Sequence, residues 1–179
     1  MRPASEAHNL ALFELLNFSR FHSDQGLFMK VALFSGSVYG AAEDVARHAV
    51  KFLEGAGLEC FYNPRATCAE LLGFAPNALL GITSTTGLGE LPDNLHELYA
   101  TLRDRLPPSF RGLPGGVIGL GDSSYDDTFC AGGEQLRELF AELGVREIQT
   151  MLRLDASETV TPETDAEPWL ESFAGLIRG

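Results

Sequence analysis

From Lys30 onward the chain alternates short apolar runs with stretches of helical period, and this alternation leaves few folds open. Val31 to Phe34 is almost wholly apolar, as expected of a strand covered on both faces. The stretch that follows places Ala42, Val45, Ala46, Ala49, Val50 and Leu53 on one stripe at steps of three and four, which is the period of a helix lying on a core. Gly55 and Gly57 close that helix. Further strands are predicted over Leu58 to Tyr62, Ala78 to Thr83, Gly116 to Leu120 and near Thr150 to Leu154. A helix after Pro92 presents Leu95, Leu98, Tyr99, Leu102 and Leu106, and another presents Leu136, Leu139, Phe140 and Leu143. The last helix carries Trp169, Phe173, Leu176 and Ile177, and the spacing of Thr164 and Glu167 predicts a capping box at its start. Five strands interleaved with helices predict an α/β fold, a doubly wound parallel sheet in three layers, α/β/α.

In such sheets ligands bind beyond the carboxyl ends of the strands, where the strand order reverses. The loop after the first strand reads Ser35-Gly36-Ser37-Val38-Tyr39-Gly40-Ala41-Ala42-Glu43. Its small residues let backbone N–H groups converge at a helix N-terminus, an anion pocket. With no lysine and no Walker pattern in it, the guest is a single phosphate monoester rather than a triphosphate with its metal. The loop after the third strand runs from Thr83 through Ser84, Thr85, Thr86, Gly87, Leu88, Gly89, Glu90, Leu91, Pro92 and Asp93 to Asn94. Its hydroxyls can donate to a phosphate or a heterocycle edge, and its glycines let the backbone approach a flat ring. The loop after the fourth strand runs from Gly119 through Gly121, Asp122, Ser123, Ser124 and Tyr125 to Phe129 and Cys130. It offers an aromatic face flanked by donors and acceptors.

Taken together, these three loops resemble the FMN-binding loops of the flavodoxin family. The resemblance rests on Ser35-Gly36-Ser37 with Gly40, on Ser84-Thr85 with Gly87, Gly89 and Pro92-Asp93-Asn94, and on Gly119-Leu120-Gly121-Asp122-Ser123-Ser124-Tyr125 with Phe129-Cys130. It covers about residues 29–179, looks most like the short MioC-type flavodoxins, and extends to the FMN domains of sulfite reductase and cytochrome P450 reductase. It implies a flavodoxin-like five-stranded parallel sheet and a low-potential electron carrier, not an enzyme, holding one FMN non-covalently. It also implies that Ser37, Val38, Tyr39, Gly40, Ala41 and Ala42 cradle the FMN phosphate, with Ser84 adding a hydroxyl. Tyr125 would stack on the outer face of the isoalloxazine. Backbone atoms of Gly121, Asp122, Ser123, Phe129 and Cys130 would read the pyrimidine edge. Thr85 and Thr86 lead to Gly87, which matches the position whose carbonyl turns toward flavin N5 on one-electron reduction. Three departures matter. Tyr39 and Ala42 stand where many flavodoxins have hydroxyls, so phosphate binding leans on backbone N–H groups. Thr86 replaces a common inner-face aromatic, leaving Leu88 to cover that face. Asp126-Asp127-Thr128 is one residue longer than the usual link to Phe-Cys.

Composition adds limits. A net charge of −12 repels nucleic acid and anionic lipid and steers a molecule toward basic protein faces. Charge alone fits partners with basic docking faces, with no nucleic acid and no membrane; that these are redox proteins, a flavin reductase upstream and an acceptor downstream, is what the flavodoxin resemblance implies. Cys60, Cys68 and Cys130 lack metal or CxxC spacing, which fits a reducing, cytoplasmic setting; the chain is expected to act as a monomer. Residues 1–28 are expected to be an extension of unknown role before a domain spanning 29–179. Other readings are weaker. A phosphoacceptor receiver needs acidic residues where Ser35-Gly36 and Thr83-Ser84 stand. A Ser-His-Asp hydrolase needs a strand-end histidine, and His8, His22, His48 and His96 supply none. An FMN-dependent NAD(P)H quinone oxidoreductase would need a second nucleotide module, which the chain does not show.

Overall fold

Apolar runs become strands and periodic stretches become helices in the computed structural model, which describes residues 29–179; the extension expected over residues 1–28 lies outside the described residues. In chain order the elements are β1 (Lys30–Gly36), α1 (Ala41–Gly55), β2 (Glu59–Tyr62), α2 (Cys68–Phe74), β3 (Ala78–Ser84), α3 (Asp93–Arg105), β4 (Pro114–Gly121), α4 (Ala131–Glu142), β5 (Arg146–Glu147), β6 (Leu152–Asp155), α5 (Pro162–Asp165) and α6 (Glu167–Arg178). The pairings are parallel throughout and the order is β2-β1-β3-β4-β5, with β6 also on β4. The expected doubly wound sheet is thus present.

Its fifth position is shared. β5 lies opposite Pro114 and Gly115, and β6 opposite Ile118 to Gly121. The sequence signal near Thr150 to Leu154 marks only the second piece, because Arg146-Glu147 carries no apolar pattern. Between the pieces Ile148 still donates to the Gly115 carbonyl at 3.1 Å, and the chain then turns to α6: Trp169 Nε1 donates to the Thr150 carbonyl at 2.8 Å, and Gln149 Nε2 donates to the Trp169 carbonyl at 3.3 Å.

Alternation along the strands divides the core in two. Val31, Leu33, Leu80, Ile82, Ile118 and Leu154 pack against α1 and α6. Ala32, Phe34, Leu79 and Val117 face α2, α3 and α4, where Phe34 meets Phe140 edge-on at 5.9 Å. Two residues leave their expected stripes. Leu106 follows the last residue of α3, takes a left-handed φ of 41°, and is 46% exposed. Leu176 is 49% exposed, because the buried stripe of α6 is Trp169, Leu170, Phe173, Ala174 and Ile177, centred roughly a quarter turn away.

The capping box also sits elsewhere. Thr164 donates its hydroxyl to Thr161, α5 forms a separate turn, and Glu167 opens α6 without a side-chain cap. Glu167 instead meets His48 of α1 at 2.7 Å, while Pro168 follows at the helix start, where a missing N–H costs nothing. The box that forms is Thr67 with Glu70, at the start of α2: Thr67 Oγ1 accepts from the Glu70 amide at 3.2 Å and Glu70 Oε2 accepts from the Thr67 amide at 2.8 Å. Thr67→Ala is expected to cost about 1 kcal/mol, read as a shifted urea midpoint with an unchanged slope.

Candidate functional site

The strand order reverses between β1 and β3, since the chain passes from β1 out to β2 and then returns to the other side of β1. The loops leaving the C-terminal ends of β1, β3 and β4 therefore meet along one edge. In the first of them, Ser37 Oγ accepts from the amides of Gly40 at 2.9 Å and Ala42 at 3.3 Å. The hydroxyl shapes the loop from within. Gly40 caps α1 with φ 96°, a conformation that costs glycine little. Among the described residues, the amides of Val38, Tyr39, Ala41 and Glu43 have no acceptor. Four donors at the positive end of a 15-residue helix are the equipment for an anion. Asn94, in the first turn of α3, anchors the loop by accepting the Ser37 amide at 3.0 Å.

The second loop closes on itself. Thr86 and Glu90 exchange backbone bonds of 2.9 and 2.8 Å, and the Gly89 amide also reaches the Thr86 carbonyl at 2.9 Å. Gly87 and Gly89, at φ 51° and 110°, allow that tight return. The Leu88 amide donates to Glu90 Oε2 at 2.6 Å, so the Gly87–Leu88 peptide has a side-chain tether. Thr85 is turned inward: its amide donates to the Leu120 carbonyl at 3.1 Å and its hydroxyl accepts the Gly132 amide at 3.1 Å. Ser84 Oγ points back to the Gly36 carbonyl at 3.4 Å. Gln135 Nε2 donates to the Gly89 carbonyl at 2.7 Å, which ties this loop to α4.

The third loop is an irregular pair of 3-10 turns, Ser123–Thr128, kinked at Asp126 (φ 32°, ψ −96°). The kink falls within Asp126-Asp127-Thr128, the link expected to be one residue longer than usual. Asp122 Oδ1 accepts from the Ser124 amide at 2.9 Å. From β6, Asp155 Oδ1 accepts from the amides of Ser123 at 3.1 Å and Ser157 at 2.9 Å. The Ser123 hydroxyl, then the Ser157 and Ser123 amides, hold the Asp155 carboxyl well below the usual carboxylate range against the opposing effect of desolvation. A lowered folded-state pKa contributes stability that is complete above the ordinary value near 3.8 and is lost as pH falls through the lower one. Asp155→Asn is therefore expected to lower the melting temperature by a steady margin at neutral pH, with that margin shrinking only below about pH 4; thermal melts across pH measure it.

Cys130 begins α4 in a left-handed conformation (φ 59°), with its Sγ donating to the Gly119 carbonyl at 3.4 Å. Burial pushes this thiol up to about 11, aided by Asp155 and Glu134 and opposed by Arg153. It is neutral at ordinary pH and serves as packing. Its backbone N lies where a Cβ on Gly121 would come within 2.7 Å. Large side chains with apolar surface stand open on these loops: Tyr39 is 98% exposed, Leu88 87% and Tyr125 67%, with Val38 next to Tyr39 in the chain. An aromatic ring and a leucine above a floor of backbone donors can bracket a planar heterocycle.

The structure thus brings the predicted segments to one sheet edge, each in the loop where the sequence put it. Sequence reading missed Glu90, Arg153 and Asp155, which hold the loops without belonging to any motif. A carboxylate three residues beyond Gly87 was the only available signal, for Glu90. The residues present suit a phosphate-bearing planar cofactor: unaccepted amides at a helix start, a close approach of Gly121 to the Cys130 backbone that a Cβ would block, and two exposed apolar covers.

Comparison with known proteins agrees. A family model described as Flavodoxin matches residues 33–169. The flavodoxin YqcA of Pectobacterium carotovorum subsp. carotovorum is 40% identical over 150 residues, covering 83% of this chain and 97% of the relative. Protein MioC of Escherichia coli (strain K12) is 33% identical over 150 residues, covering 83% and 98%. A cysteine-to-alanine variant of a flavodoxin from Pseudomonas aeruginosa, a solved structure, superposes with a TM-score of 0.81 at 70% identity, covering 84% of this chain and all of that one.

Proposed function

The chain belongs to the flavodoxin family of flavin-binding electron-transfer proteins, and from that premise we propose that residues 29–179 form a domain that holds one FMN non-covalently and carries low-potential electrons between proteins. What carries the choice of FMN is the set of unaccepted amides between Val38 and Glu43, at a helix N-terminus with no lysine. That set suits one phosphate monoester. When bound, the flavin supplies the redox chemistry, taking up electrons one at a time. The chain supplies the rest. Ser37 and Gly40 shape the phosphate loop, with Val38, Tyr39, Ala41 and Ala42 as its floor and Ser84 nearby. Tyr125 and Leu88 cover the two ring faces. Thr85, Thr86 and Gly87 place backbone at the ring's edge, and Gly121, Asp122, Ser123, Phe129 and Cys130 line the pyrimidine end.

Charge sets the direction of the chemistry. Asp44, Glu90, Asp93, Asp126 and Asp127 are exposed around the rim of a chain with net charge −12. Added negative charge on a bound cofactor is disfavoured there, so the potential is low. The same field steers basic docking faces onto the open apolar side chains at the site, the reductase on one encounter and the acceptor on the next. Each described cysteine is a free thiol, which fits the cytoplasm. Among the described residues no helix is long and apolar enough to cross a membrane. All three loops come from one chain, so a monomer suffices.

The test is an absorption spectrum of the purified protein during stepwise reduction. Flavin bands that survive gel filtration and two resolved one-electron stages are expected. NADPH alone should leave the flavin oxidised, whereas rapid bleaching would point to an enzyme using nicotinamide directly. A colourless protein that ignores added FMN would sink the reading.

A further inference from the structure

We propose that Arg153 is a positioning residue that fixes the Phe129–Cys130 peptide so that the Cys130 N–H faces the cradle beside Gly121, and thereby sets how readily the site accepts negative charge at the pyrimidine end of its flavin; this rests on the flavin-carrier reading above. Arg153 lies on β6, with Nη1 donating to the Phe129 carbonyl at 3.2 Å. Its other guanidinium nitrogen pairs with Glu134 of α4. Glu134 is held in turn by Arg137 at 2.8 Å, and Arg137 forks onto both carboxylate oxygens of Glu147 in β5 at 2.8 Å each. A chain of alternating charges thus immobilises the guanidinium across the interruption of the fifth strand.

The geometry of a trans peptide supplies the next step, because its C=O and N–H point in opposite directions. With the Phe129 carbonyl drawn to Arg153, the Cys130 N–H is turned away from it, and its nitrogen lies close enough to Gly121 that a Cβ there would come within 2.7 Å. Cys130 is fully buried, and among the described residues its amide has no acceptor. Buried amides are almost always paired, so a ligand oxygen or nitrogen is the fitting partner. Cys130 is also held in a left-handed conformation that costs a non-glycine residue strain; the thiol bond to Gly119 and the guanidinium bond to Phe129 oppose its relaxation. A cationic donor on the carbonyl polarises the peptide and strengthens the N–H as a donor. It is also a positive charge in a strongly acidic chain.

Arg153→Gln, Arg153→Lys and the unaltered chain are compared, each prepared flavin-free and reconstituted with FMN. The glutamine variant is expected to bind oxidised FMN about tenfold more weakly. Its second one-electron step should move negative by a further tenfold preference, which for one electron is about 59 mV. The lysine variant keeps the charge without the planar fork and should fall between. In the flavin-free chain, the Cys130 amide should exchange its hydrogen faster in the glutamine variant. A merely structural role would weaken oxidised and reduced FMN equally and leave the potential in place; that result overturns the proposal, as does an unchanged affinity. Should the glutamine variant fail to fold, the lysine variant decides by the same two readings. Failure of the unaltered chain to bind FMN would strike the flavin reading itself, whereas normal binding with indifferent variants strikes only Arg153.

Discussion

Replacing Gly121 with valine is expected to leave the sheet folded and strip the protein of its flavin. A Cβ at this position would come within 2.7 Å of the Cys130 nitrogen, 3.0 Å of the Phe129 ring and 3.1 Å of Cys130 Sγ. The first contact is backbone, so no rotamer change relieves it. Relief requires moving the Phe129–Cys130 peptide out of the cradle, and overpacking of this kind costs about 1–3 kcal/mol. If the loop yields rather than the strand, the upper end corresponds to roughly a hundredfold in affinity. Titrating flavin-free protein with FMN and following quenched flavin fluorescence measures it. An alanine there adds one methyl and should lose less. Equal affinity in the valine variant and the parent would mean that this cradle does not face the cofactor.

Phe173→Ala is the other large effect, on stability rather than binding. The ring is fully buried in α6 and stacks on Trp169 at 5.3 Å with the planes 10° apart. Both rings press on β4 where Gly116 stands; a Cβ there would come within 2.6 Å of Trp169 and 3.1 Å of Phe173. The sheet and helix approach closely because a central strand presents no side chain to them. Truncating Phe173 opens a cavity in that contact and should cost about 3–5 kcal/mol, or roughly 6–20 °C in the melting temperature of a domain this size. Flavin-free protein should be used for the melts, since bound ligand adds its own stabilisation. A loss below about 1 kcal/mol would show that α6 adds little to holding the sheet.

How far the sequence reaches is clear from particular elements. Val31 to Phe34 announces a strand because both faces are covered, and α1 announces itself by its buried stripe. By contrast α2 is seven residues long, too short for periodicity, though its Thr67–Glu70 spacing was a readable start signal. The same spacing at Thr164–Glu167 led nowhere. Pro168 and the pull of His48 on Glu167 decide that junction, and His48 lies more than a hundred residues away in the chain. The loops of the site are legible because backbone recognition demands small residues in fixed places. Arg153 and Glu90 are not, because their partners are a carbonyl and an amide, which every residue possesses and no motif records.

The divided fifth strand has one more consequence. A sheet of this kind has two open sides, and an unbroken outer strand would offer a continuous row of amides and carbonyls to any extended polypeptide. Here two residues of β5 and four of β6 flank a stretch turned inward to Trp169. A foreign strand arriving on that side finds no ladder long enough to lie against. On that side of the sheet, the detour that lets α6 seat its indole also works against self-templated strand addition.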